Sequence, residues 1–75
     1  MKFYFDIKDD FFAAVDEHGV DLPGPEAAEK EAIAMATSIA RDVASAKGAQ
    51  VLIIVRNEKH PLLELSVTVA RKALT

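Results

Sequence analysis

Five consecutive aliphatic residues, Val51-Leu52-Ile53-Ile54-Val55, lie between Gln50 and Arg56, and no other stretch restricts the fold as much. Four of the five are β-branched, which favours a strand over a helix. The run is far too short to cross a bilayer. It is apolar on both faces, so it reads as a central strand, residues 50–56, that needs cover on both sides. Such a strand must have neighbours, and two other segments can supply them. Residues 2–8 alternate, with Phe3, Phe5 and Ile7 on one side and Lys2, Tyr4, Asp6 and Lys8 on the other, the period-2 pattern of a half-buried strand. Residues 62–69 alternate in the same way, with Leu63, Leu65, Val67 and Val69 facing a core and Glu64, Ser66 and Thr68 facing out.

The segment after the first strand is rich in turn signals. Asp9-Asp10 offers short carboxylates that bond nearby backbone amides, and a short returning strand is expected over residues 11–16. Glu17-His18-Gly19 forms a second turn with glycine where a positive φ is needed, and residues 20–22 are extended. Leu22-Pro23-Gly24-Pro25 then opens a helix, with Pro25 at its first position. Residues 25–47 contain no further glycine or proline, and eight of these 23 residues are alanine, the best helix former. The apolar stripe comprises Ala28, Ala32, Met35, Ala36, Ile39, Val43 and Ala46. Gly48 is placed to cap the C-terminus, and Asn57 to Pro61 connect the last two strands.

The expected architecture is therefore a single α+β domain of ββαββ plan covering residues 1–75, with a four-stranded, mainly antiparallel sheet and one long helix on one face. Numbering the four strands along the chain, the expected order is 2-1-3-4. One helix covers only one face. The other face would carry Lys2, Tyr4, Asp6, Lys8, the outward residues of the central strand, and Glu64, Ser66 and Thr68. Which parity of the central strand meets the helix is left open: Leu52 and Ile54 face outward in one case, Val51 and Ile53 in the other. Tyr4, Leu52, Ile54 and Arg56 are the candidate interface residues.

A chain of 75 residues without cysteine buries only roughly 60% of the surface its unfolded form exposes. Disulfides and thiolate zinc sites are ruled out, so self-association is the expected source of extra stability, in the form of a homodimer. A partner protein of another kind is a further reading. The competing account is a monomer in which Tyr4 and the stems of Lys2, Lys8 and Arg56 cover the exposed apolar atoms. The net charge of -3 argues against a general affinity for nucleic acid or anionic membranes. Lys2, Tyr4, Lys8 and Arg56 form a basic patch with one aromatic ring, fewer than the two or three on which nucleotide bases stack. Asp6 interrupts the start of the chain before an export signal could form, and the expected location is the cytoplasm.

No catalytic, cofactor-binding or metal site is expected. The N-terminal carboxylates Asp6, Asp9, Asp10, Asp16, Glu17 and Asp21 do not have the spacing of a calcium loop. His18 and His60 are 42 positions apart, each inside a turn. Ser38, Ser45 and Ser66 lack the glycine-rich elbow of a serine nucleophile, and Gly19, Gly24 and Gly48 are isolated rather than grouped around a phosphate.

The pattern Phe3-Tyr4-Phe5-Asp6-Ile7 with Asp9-Asp10, followed by Asp16-Glu17-x-Gly19-x-Asp21-Leu22-Pro23 and an Ala/Glu-rich helix, resembles an uncharacterised family of short bacterial proteins. That family is common in rhizobia and related alphaproteobacteria and is classed as a domain of unknown function. The resemblance covers nearly the whole chain and is most specific in the Asp-Glu-x-Gly-x-Asp-Leu-Pro segment. At Gly24 the chain departs from relatives that often carry a helix-capping aspartate. The resemblance implies no catalytic residue, cofactor or partner. A weaker similarity, carried by Asp21-Leu22-Pro23-Gly24 leading into an acidic, alanine-rich helix, is to HicB-type antitoxin domains, although no DNA-binding segment follows. The leading expectation is a non-enzymatic interaction or assembly module, with an antitoxin-like or nucleic-acid-associated regulator as the alternative.

Overall fold

Alanine at every fourth position sets how closely the one helix approaches the sheet. In the computed structural model, which describes residues 1–45 and 47–75, α1 spans Pro25–Val43 and buries Ala28, Ala32, Ala36 and Ala40. These four small side chains let the helix backbone lie near the strands. Against them pack Phe3 and Phe5 from β1 (Lys2–Lys8) and Val51, Ile53 and Val55 from β4 (Ala49–Arg56). Leu63, Leu65 and Val67 of β5 (Pro61–Val69) join them, half-buried, at the margin. Between β1 and α1 lie two very short strands, β2 (Ala13–Ala14) and β3 (Val20–Asp21).

The sheet runs β2-β1-β4-β5, with β3 also paired to β1. Its order for the four expected strands is the one inferred from the sequence, and every pairing is antiparallel. In β1 and β4, Tyr4 is opposite Arg56, Asp6 opposite Ile54 and Lys8 opposite Leu52. Between β4 and β5, Leu52 faces Ser66 and Ile54 faces Glu64, and the register shifts at Val55/Arg56. The open parity is thereby settled: Val51, Ile53 and Val55 are buried under the helix, while Leu52 and Ile54 point away from it.

Several expectations need correction. The returning strand over residues 11–16 reduces to Ala13–Ala14, because the chain leaves the ladder after Ala14 and Asp16 reaches the Phe5 amide of β1 with its side chain, not its backbone. The extended segment after Gly19 is a fifth strand, since Val20 and Asp21 pair with Phe3 and Lys2. The helix ends at Val43 rather than at residue 47. Ala44 turns extended with ψ 136°, and Ser45 and Gly48 pair in a tight return, so Gly48, at φ +91°, serves that return and not the helix cap. A Cβ there would collide with the Val69 carbonyl. The expected stripe residue Ala46 lies outside the described residues, Ala40 takes a core place that was not anticipated, and Val69 is exposed at the sheet margin.

Pro25 occupies the first helical turn as expected, and Gly24 is an N-cap with no side-chain hydrogen bond. No helix among the described residues is long and apolar enough to cross a membrane.

Candidate functional site: the open face of the sheet

Because side chains alternate along a strand, the registers above place Tyr4, Asp6 and Lys8 of β1 beside Arg56, Ile54 and Leu52 of β4 on the side away from α1, with Glu64 and Ser66 completing the rows. All four candidate interface residues, Tyr4, Leu52, Ile54 and Arg56, therefore lie on one face. They fall into two groups with different surroundings.

Arg56 is tightly held. Its guanidinium lies 4.5 Å from the centre of the Tyr4 ring, close enough for a cation–π contact. Its Nε donates to Asp6 Oδ2 at 2.8 Å and its Nη2 donates to the Asp16 carbonyl at 2.7 Å. The Tyr4 hydroxyl donates to Glu58 at 3.4 Å. Asp6 accepts a further bond from the Asp16 amide at 3.0 Å.

Asp16 in turn completes the edge of the sheet. Its Oδ2 accepts the Phe5 amide at 3.2 Å, and its Oδ1 accepts those of His18 and Gly19 at 3.0 and 3.1 Å. Phe5 lies between the β1 residues paired to β3 and those paired to β2, so the carboxylate replaces a ladder acceptor that neither short strand provides. Gly19, at φ +73°, closes the turn. A Cβ on it would come within 2.9 Å of Lys2 Cγ and Tyr4 Cε2.

The electrostatics follow from these bonds. Burial raises the Asp6 carboxyl, but the Arg56 hydrogen bond and charge and the Asp16 amide outweigh it and hold it below the usual value. The Gly19 amide, with those of His18 and Phe5, holds Asp16 low against a smaller opposing effect of burial. The bond to Asp6 raises Arg56 further. A guanidinium occupied in this way, with Asp6 beside it, is a poor phosphate ligand.

Leu52 and Ile54 form the second group, half-buried and without a covering layer. They are the apolar centre of the face.

Elsewhere, Asp9 behaves as its position suggested. Its Oδ1 accepts the Phe11 and Phe12 amides at 2.7 and 3.0 Å, while its buried Oδ2 has no partner among the described residues. Phe11 and Phe12 are left exposed at the tip of that turn. His18 and His60 are both exposed, and no group of three or more metal-ligating side chains occurs among the described residues. An apolar cavity of about 240 Å³ opens between the start of α1 and the β4–β5 end of the sheet, lined by Phe3, Ala28, Val55, Leu62 and Leu63 with Glu26 and Glu29. It is below the usual size of a small-molecule site.

Salt bridges among the charged residues of this face are what the sequence suggests, and Arg56–Asp6 is one, but the part played by Asp16, expected only as a turn residue, was not anticipated. A usable signal was present: Asp16 stands three residues before a glycine, the spacing of a carboxylate-capped turn.

Comparison with known proteins gives a family model described as a domain of unknown function (DUF6894), which matches residues 2–68. None of the curated proteins and none of the solved structures matches the chain.

Proposed function

Since the chain belongs to this domain family, to which no activity is assigned, its own surface must carry the reading, and we propose that it is a non-enzymatic interaction or assembly module that associates with itself through the uncovered face or edge of its sheet. The observation that supports this most is the pair Leu52 and Ile54, set side by side on a central strand with no second layer over them. Removing such apolar area from water is worth roughly 25 cal/mol per Å², and a domain of this length has little core of its own. The same face bears Tyr4 and Arg56, already locked to each other, which offers a rigid border at little entropic cost. The setting proposed for this module is a bacterial cytoplasm. No specific observation favours the antitoxin-like or nucleic-acid-associated alternative.

Light scattering from micromolar to millimolar concentration tests the reading. The expected mass is twice that of the chain. Leu52→Lys and Ile54→Lys show whether the open face or the sheet edge carries the contact, since only a face contact is weakened by them. A strict monomer at the highest concentration overturns the proposal.

A further inference from the structure

The two edges of the sheet are built differently. On the β1 side the edge is interrupted: β2 and β3 contribute two residues each, and residues 15–19 loop out between them. This is how proteins blunt an edge against pairing. On the other side β5 runs for nine residues, Pro61–Val69, with its only proline at the first position and no lysine or arginine. The one register irregularity is near its start, opposite Val55/Arg56.

The hydrogen-bond pattern shows which groups this edge presents. Met1 and Leu22 exchange both backbone bonds, and the Phe5 amide points to Asp16, so the odd-numbered residues of β1 turn their backbone groups away from β4. Alternation then directs those of Tyr4, Asp6 and Lys8 toward β4, and those of Val51, Ile53 and Val55 toward Val67, Leu65 and Leu63. Glu64, Ser66 and Thr68 are left with N–H and C=O groups directed outward from β5.

Resting on the self-association reading above, we propose that this edge is where two copies meet, β5 pairing antiparallel with β5 of a second copy across a two-fold axis at Leu65. Leu65 is the midpoint of Pro61–Val69, so this register engages the whole strand. Glu64 is the only charged residue in β5, and the register sets it opposite Ser66 of the partner subunit. Centring on Glu64 would oppose like charges directly, and centring on Ser66 would leave Pro61 and Leu62 without a counterpart.

On the helix side, half-buried Leu63 and Val67 meet Val67 and Leu63 of the partner subunit, and Leu65 meets its own copy. Glu26 and Glu29 share a cavity with Leu62 and Leu63, which places that side of α1 over β5. One turn beyond Glu29 on the same side is Ile33, a large apolar residue 44% exposed, and the two helices of the pair cover this margin jointly. The result is one continuous sheet with both helices on one side and the two open faces merged on the other.

Leu65 lies in a pair that exchanges no hydrogen bonds across the proposed axis, so the two Cα atoms are expected about 4.5 Å apart, within disulfide reach. The chain has no cysteine, which makes Leu65→Cys a clean probe. Leu63→Cys is the control, because two residues 63 would stand roughly 13 Å apart. Under mild oxidation, Leu65→Cys is expected to form a covalent dimer at least about tenfold faster than Leu63→Cys. Ser66→Pro removes an outward donor while leaving the β4 ladder intact, and should weaken association about 10- to 30-fold with an unchanged far-ultraviolet spectrum. A dimer that survives Ser66→Pro, shows no preference for cysteine at 65 and is lost in Ile54→Lys overturns the edge assignment and leaves the open-face reading standing. A wild-type chain that is monomeric at millimolar concentration overturns both.

Discussion

Asp16 shows how much one side chain can do where a ladder is broken. Its carboxylate accepts three backbone amides and its own backbone is tied to Asp6 and Arg56, so it joins β1, the loop of residues 15–19 and β4. The turn around it was visible in the sequence, because carboxylate and glycine spacing is local. Its bond to Phe5 was not, because it depends on where β2 stops and β3 starts, and two-residue strands leave no periodic signal. The lowered pKa of Asp16 gives the contribution a sign. In the unfolded chain the carboxyl titrates near 3.8 and in the folded chain below it, so the unfolded state takes up the proton first as pH falls. The stabilisation is thus present above about pH 4 and is lost as pH drops through the folded value. Asp6 is shifted in the same direction. We expect Asp16→Asn to be less stable than the wild type by about 1–2 kcal/mol at pH 7 in urea titrations, with the gap narrowing steadily below pH 4. A gap independent of pH would show that the charge on Asp16 contributes nothing.

Among the elements, the helix and the three long strands could be read directly, because each has enough residues for its period to register. What failed were the ends. α1 stops at Val43 although the propensity of Ala44, Ser45 and Lys47 would permit another turn, since Ala49 must already stand opposite Val69 to begin β4. The N-terminal end offers the clearest improvement. Gly24 has extended backbone that any residue adopts, no capping side chain, and empty space within 4 Å of the position its Cβ would occupy. An aspartate there can accept a free first-turn amide and place a negative charge at the positive end of the helix dipole, while also restricting the unfolded chain. Gly24→Asp is expected to add about 0.5–1 kcal/mol, which corresponds to a rise in Tm of roughly 2–8 °C for a domain of this size. An unchanged or lower Tm by calorimetry would mean that this end of the helix is already satisfied.

For the whole molecule, the one-sided cover of the sheet was evident from the sequence, since the run of residues 51–55 has no polar side and only one helix is present. The contrast between the edges was not, because it arises from the shortening of the expected second strand to β2 and the pairing of the separate segment Val20–Asp21 as β3. That contrast links assembly to stability. Domains of this length have about 4–11 kcal/mol to lose on unfolding, and the buried residues that the helix turns to the sheet here, Ala28, Ala32, Ala36 and Ala40, are all alanine. A second copy that binds only the folded form stabilises it by mass action. Above the dissociation constant, each tenfold rise in protein concentration adds about 1.4 kcal/mol per dimer, so the wild-type Tm should climb by about 3–6 °C per decade. Ser66→Pro, whose own ladder to β4 is untouched, should begin that climb only at a protein concentration about 10- to 30-fold higher. If the wild-type Tm is flat across three decades while scattering still reports a dimer, the dimer also forms from partly unfolded chains, and its interface is then not the edge of a completed sheet.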